Sequence, residues 1–149
     1  MQDSIEKVID LKAPVSRVWQ AVTDYKEFGA WFQADLENPF VVGEVTRGVA
    51  TYRGAEGVKW VATVEAMEPE RLFSFRWCPY ANDNEMDYSK EPTTLVEFRF
   101  EPTATGTRLV VTESGFSQLP DEAKATEALR RNTGGWNAQA GHITAYVES

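Results

Sequence analysis

The chain has one cysteine, one histidine, no basic run and no long apolar run. Each shortage removes a class of function. Cys78, being alone, cannot close an internal disulfide, which fits a reducing compartment. With only His142 and Cys78 to draw on, the familiar zinc sets of His and Cys cannot be assembled, so no metal is expected. A Ser-His-Asp set would have to use His142, and no serine sits in a nucleophile-like turn. HExxH, the P-loop pattern and GxGxxG are missing as well, and no cofactor is expected. The apolar runs fall far short of the ~20 residues that span a bilayer. The start, MQDSIEKVIDL, has no basic region leading into an apolar stretch, which predicts no secretory signal and a cytoplasmic location.

Acidic residues outnumber basic ones 23 to 15, for a net charge of −8. A phosphate backbone would be repelled on average, so nucleic acid is not an expected partner. Surface solubility accounts for the acidity, which would also attract cationic ligands. At 149 residues, without repeats, low-complexity tracts or a Gly/Ser/Pro-rich linker, the chain reads as one domain over 1–149.

What is present is pattern. The β-branched segment 4-SIEKVIDLK-12 reads as a strand. Pro14 suits the first turn of a helix, and Val15, Val18, Trp19 and Val22 follow at helical spacing. Asp24 suits the cap of a second short helix carrying Tyr25, Phe28, Trp31 and Phe32. From about Val41 the period changes to two. Trp60, Ala62 and Val64, then Phe73, Phe75 and Trp77, then Val96, Phe98 and Phe100 alternate with polar residues, which predicts strands sharing an aromatic face. The segment 101-EPTATGT-107 reads as a hairpin connection into 108-RLVVTESGF-116. Pro120, Asp121 and Glu122 open a long helix whose apolar stripe is read as Leu129, Thr133, Trp136, Ala140, Ile143 and Val147. An aromatic sheet face and a long helix stripe must cover each other. The three glycines of 132-NTGGWNAQAGH-142 stand out, and Gly134-Gly135 is read as a bend just before Trp136.

This order of parts resembles the helix-grip fold of the START-like (SRPBCC) superfamily, and more closely the family named after the activator of the heat-shock protein 90 ATPase. The resemblance rests on 13-APVSRVWQAVTD-24, 31-WF-32, 68-EPERLFSFRW-77, 93-TTLVEFRFEPTATGTRLVVTESGF-116 and 134-GGW-136. It implies an α+β fold, a curved antiparallel sheet wrapped around a long C-terminal helix with two short helices after the first strand. It also implies an apolar cavity between sheet and helix that takes a small apolar, aromatic or lipid-like ligand. Two other functions come with it: a cyclase or aromatase-like enzyme using a cavity carboxylate, and a chaperone-interacting or stress-related protein. The activators that name the family carry an additional N-terminal domain for docking on the chaperone, for which 149 residues leave no room. A chaperone partner is thus an analogy of name, and membrane insertion is not expected.

The candidate site residues follow. Glu113 shares its strand parity with Leu109 and Val111, so a cavity-facing carboxylate would serve as general base or hold a ligand's polar group. Because the strand ends near Gly115, the favoured expectation is a wet rim, with an arginine ion pair as a further reading. His142, the other catalytic candidate, lies ~120° around the helix from Trp136, on the edge of the stripe. Asn132 and Gln139 fall within ~60° of Trp136, as ligand contacts or satisfied boundary amides. Trp60, Phe73, Phe75, Trp77, Phe98 and Trp136 are each core residues by default and collectively a pocket lining. The long polar segment 79-PYANDNEMDYSKEP-92 reads equally as a lid, closing Tyr80, Met86 and Tyr88 over a pocket mouth, or as a solvated loop.

Overall fold

The computed structural model describes residues 1–80 and 90–149. Its elements run β1 (Ser4–Leu11), α1 (Val15–Thr23), α2 (Tyr25–Phe32), β2 (Ala34–Leu36), β3 (Val45–Ala50), β4 (Lys59–Glu68), β5 (Leu72–Trp77), β6 (Thr94–Thr103), β7 (Gly106–Ser114) and α3 (Glu122–Glu148). The seven strands form one curved sheet in the order β1-β7-β6-β5-β4-β3-β2, antiparallel throughout. The fold is α+β, as the resemblance implies.

Local chemistry sets the boundaries. The Pro14 carbonyl accepts the Arg17 and Val18 N–H groups at the start of α1. The Asp24 carboxylate accepts from the N–H of Lys26 and Glu27, capping α2 directly behind α1. The β6–β7 connection is tighter than the sequence pattern suggests. Pairing continues to Thr103 and Gly106, so only Ala104 and Thr105 turn. A residue with a Cβ could not stand at Gly106, because that atom would fall 2.1 Å from the Leu11 carbonyl oxygen.

The concave sheet face is the core. Trp60, Ala62 and Val64 of β4, Phe73 and Phe75 of β5, Val96, Phe98 and Phe100 of β6, and Leu109 and Val111 of β7 are all buried on it. Helix α3 covers it with a stripe that differs from the expected one. Thr133 is exposed and turns its hydroxyl back to the Leu129 carbonyl. The stripe runs instead through Ala125, Ala128, Asn132, Trp136, Gln139, Ile143 and Val147, at spacings of three and four. Asn132 and Gln139, expected within ~60° of Trp136, thus lie on the stripe itself, and both have partners inside the fold.

The glycines do not interrupt the helix. α3 is helical without a break from Glu122 to Glu148, and Gly134, Gly135 and Gly141 are exposed with open space where a Cβ would stand. Gly134→Ala and Gly135→Ala should each stabilise the protein by about 0.4–1 kcal/mol through the unfolded state. The check is a rise in the urea midpoint at unchanged m-value. A loss of stability in both variants would support the expected bend as their role.

Candidate functional site: a carboxylate held by two indoles

Pairing places Glu113 opposite Ile5 of β1 and Val96 of β6, and sets Thr94, two residues from Val96, diagonally beside it on the same face. Trp77 stands opposite Thr94 at the end of β5. From above, α3 presents Asn132 and Trp136, one turn apart on one face. These residues converge. Glu113 Oε2 accepts from Thr94 Oγ1 at 2.6 Å and from Trp77 Nε1 at 2.9 Å, while Oε1 accepts from Trp136 Nε1 at 2.9 Å. Asn132 Nδ2 bridges both oxygens at 3.1 and 3.2 Å. An indole N–H can only donate, and a carboxylate has about four lone-pair directions, so this donor set is matched to an anion.

The wet-rim expectation is overturned, because the Glu113 side chain is fully buried, at 0% exposure. Gly115, at φ 102°, does end the strand, but the chain turns at once into Phe116, itself fully buried. β1 stays paired to β7 out to Ser4 and Ser114, closing the other side. The arginine ion pair is absent too: among the described residues no ion pair includes Glu113. A single acidic group thus lies in the core on neutral donors alone.

Around it is a continuous aromatic mass. Trp77 stacks on Trp136 at 6.0 Å, and Phe32 meets both at 6.0 and 6.1 Å. Trp60 adjoins Trp77 at 6.1 Å and Phe75 at 5.7 Å, while Phe73 and Phe98 stack at 5.9 Å below. Hollows of about 550 Å³, beside Lys12 and Gly106, and about 350 Å³, beside Tyr25 and Leu36, lie elsewhere and share no residue with the predicted lining. Among the described residues, one polar atom in the aromatic mass is left over: Trp60 Nε1 is buried with no hydrogen-bond partner.

The other candidates are placed as follows. Gln139 reaches across to α2, where its Nε2 donates to the Phe32 carbonyl at 3.0 Å, satisfying an acceptor at that helix's end. His142, half-buried, has Nδ1 2.9 Å from Gln139 Oε1. That oxygen only accepts, so Nδ1 carries the proton. The structure does not bring His142 to Glu113, whose partners are the four residues named above. Burial pushes the Cys78 thiol above its ordinary value, which disfavours the thiolate a nucleophile needs. Tyr80 is half-buried against the core, with the Lys124 ammonium 5.5 Å from its ring centroid. Met86 and Tyr88 lie outside the described residues. Three residues escaped the sequence reading of the site: Thr94, Phe28 and Phe32. Thr94 was legible by parity with Val96, Phe98 and Phe100, while the two phenylalanines come from α2 and reach the site only through tertiary packing.

The profile of the family described as Activator of Hsp90 ATPase homolog 1-like protein matches residues 12–148, from the end of β1 through α3 and including every residue of the Glu113 cluster. The chain belongs to this family. No curated protein matches the sequence. Among solved structures, protein MLL2253 of Mesorhizobium loti is similar at TM-score 0.72 and 23% identity, with 97% of this chain and 96% of that chain covered. A protein of Arthrobacter aurescens is similar at TM-score 0.80 and 18% identity, over 97% and 86% of the two chains. DynU16, from the dynemicin biosynthetic locus, is similar at TM-score 0.74 and 23% identity, covering 100% of this chain but 48% of its own. At these identities the neighbours establish the shared fold, a curved antiparallel sheet covered by a long C-terminal helix. Among the described residues of this family member, no helix is long and apolar enough to cross a membrane.

Proposed function

We propose that the protein binds a small apolar or aromatic molecule between the concave sheet face and α3, against Trp60, Trp77, Glu113, Asn132 and Trp136. The observation that carries this reading is Trp60 Nε1, a buried donor without a partner inside an aromatic enclosure that also contains the Glu113 cluster. Leaving such a donor unpaired costs about 1–3 kcal/mol, and a ligand acceptor placed beside it removes that cost. An apolar lining with a few convergent polar groups is the usual composition of a small-molecule site. Trp77, half-exposed next to Tyr80, is the ring that moves to admit the ligand, while Phe73, Phe75 and Phe98 form the floor. The cyclase alternative needs a free lone pair on Glu113. The protein's own donors engage both oxygens, which favours binding over catalysis.

The five tryptophans supply the test. In ¹⁵N-labelled protein titrated with N-phenyl-1-naphthylamine, the indole N–H signals of Trp60, Trp77 and Trp136 should shift saturably. Those of Trp19, which packs on Phe100, and Trp31, bonded to the Ala21 carbonyl, should stay put. Uniform small shifts, or no saturation, would show surface adsorption and end this reading.

A further inference from the structure

The ligand class can be narrowed by asking what the Glu113 cluster still lacks. Its donors are two indoles, a hydroxyl and an amide, all neutral. Burying a carboxylate on neutral donors satisfies its hydrogen bonds but leaves its charge uncompensated in a low-dielectric interior. Among the described residues no ion pair includes Glu113, and two basic residues of α3 have other partners. Arg131 donates to the Pro79 carbonyl at 2.9 Å, and Lys124 sits over the Tyr80 ring. The walls beside the carboxylate are the Trp77, Trp136 and Phe32 rings, whose π faces attract cations.

The partners also differ in how firmly they are held. Thr94 and Trp136 are buried, whereas Trp77 and Asn132 are half-buried and keep part of their surface in solvent. These two donors are replaceable. A group arriving from the Tyr80 side must offer Glu113 an N–H in exchange, and a charged N–H offers more than the neutral one it displaces.

We infer that the ligand is an organic cation: an arylalkyl ammonium whose aryl ring lies among Trp60, Trp77 and Trp136, offering its π face as acceptor to the Trp60 N–H, and whose N–H⁺ takes the place of the Asn132 amide on Glu113. This rests on the binding proposal above and adds the charge of the ligand to it. The sequence-wide excess of acidic residues acts in the same direction, by raising the local concentration of cations.

Calorimetry with 1-naphthylmethylammonium, 1-naphthalenemethanol and 1-naphthoate, which share one aryl body, separates the two claims. The ammonium should bind about tenfold more tightly than the alcohol or better, and the carboxylate worst. Glu113→Gln should abolish the preference for the ammonium over the alcohol. Should that variant fail to fold, Asn132→Ala decides: removing the competing donor should raise the ammonium's affinity more than the alcohol's, widening the gap between them. Equal binding of ammonium and alcohol, or a preference that survives Glu113→Gln, overturns the cation assignment and leaves the binding proposal standing. If none of these compounds binds and no indole signal moves, both fall.

Discussion

Glu113→Ala should destabilise the protein by about 3–5 kcal/mol, a large share of the ~5–15 kcal/mol typical of a folded domain. The magnitude follows from what is left behind. Trp136 Nε1 and Thr94 Oγ1 are buried and have no water to turn to, so each loses its acceptor at about 1–3 kcal/mol. Trp77 and Asn132 are half-buried and recover part of their loss by hydration. Glu113→Gln keeps the shape and one acceptor oxygen but aims an NH₂ at indole donors, and should cost about 1–3 kcal/mol. Urea unfolding followed by circular dichroism gives both numbers. A contrasting variant isolates the cause: Glu113→Leu with Thr94→Val and Trp136→Phe removes the buried donors together with the acceptor. It should be more stable than Glu113→Leu alone. If Glu113→Ala falls within 0.5 kcal/mol of the parent, roughly the level of an ordinary surface substitution, the cluster is not holding the fold.

That cluster also marks how far the sequence could be read. Period-two alternation in β4, β5, β6 and β7, the Asp24 cap and the acidic start of α3 all act locally, so each element appears where its pattern lies. Glu113 was assigned to the inward face by parity, and its placement at a wet rim failed for a non-local reason. A strand end is open or closed according to what covers it, and here β1 pairing and the Phe116 turn cover it. The α3 stripe failed in a related way. Helical spacing alone cannot distinguish Thr133 from Asn132, since adjacent positions differ by only ~100° and an amide counts as polar in any pattern. What draws Asn132 inward is the carboxylate across from it, 19 positions earlier in sequence. The part played by α2 in the aromatic interior has the same origin. Alternation predicts that aromatic rings face inward, but whether they enclose a space or fill it depends on α2, whose Phe28 and Phe32 were legible as helix-face residues and not as plugs.

Phe28→Ala tests that plug, and should cost about 3–5 kcal/mol. The fully buried Phe28 ring has its centroid 4.9 Å from those of Trp31 and Phe32, 5.3 Å from that of Phe40 and 5.7 Å from that of Trp60. It also reaches Phe75 at 6.3 Å and Phe98 at 6.4 Å, so one side chain joins α2 to β4, β5 and β6. Its neighbours are themselves held by further ring contacts and cannot collapse inward, which places the variant at the costly end of large-to-small core substitutions. Phe28→Leu keeps most of the volume and should cost about 1.5 kcal/mol. The void opened by alanine borders Trp60, the residue with the unpartnered Nε1, and is walled by rings, so it should stay dry and accept an apolar guest. Saturating benzene should therefore raise the melting temperature of Phe28→Ala more than that of the parent, since a guest that binds the folded state shifts the transition in proportion to its affinity. The same guest should move the Trp60 indole N–H signal in the variant. A parent protein that benzene stabilises equally well would mean that the aromatic interior already opens a space of that size unaided.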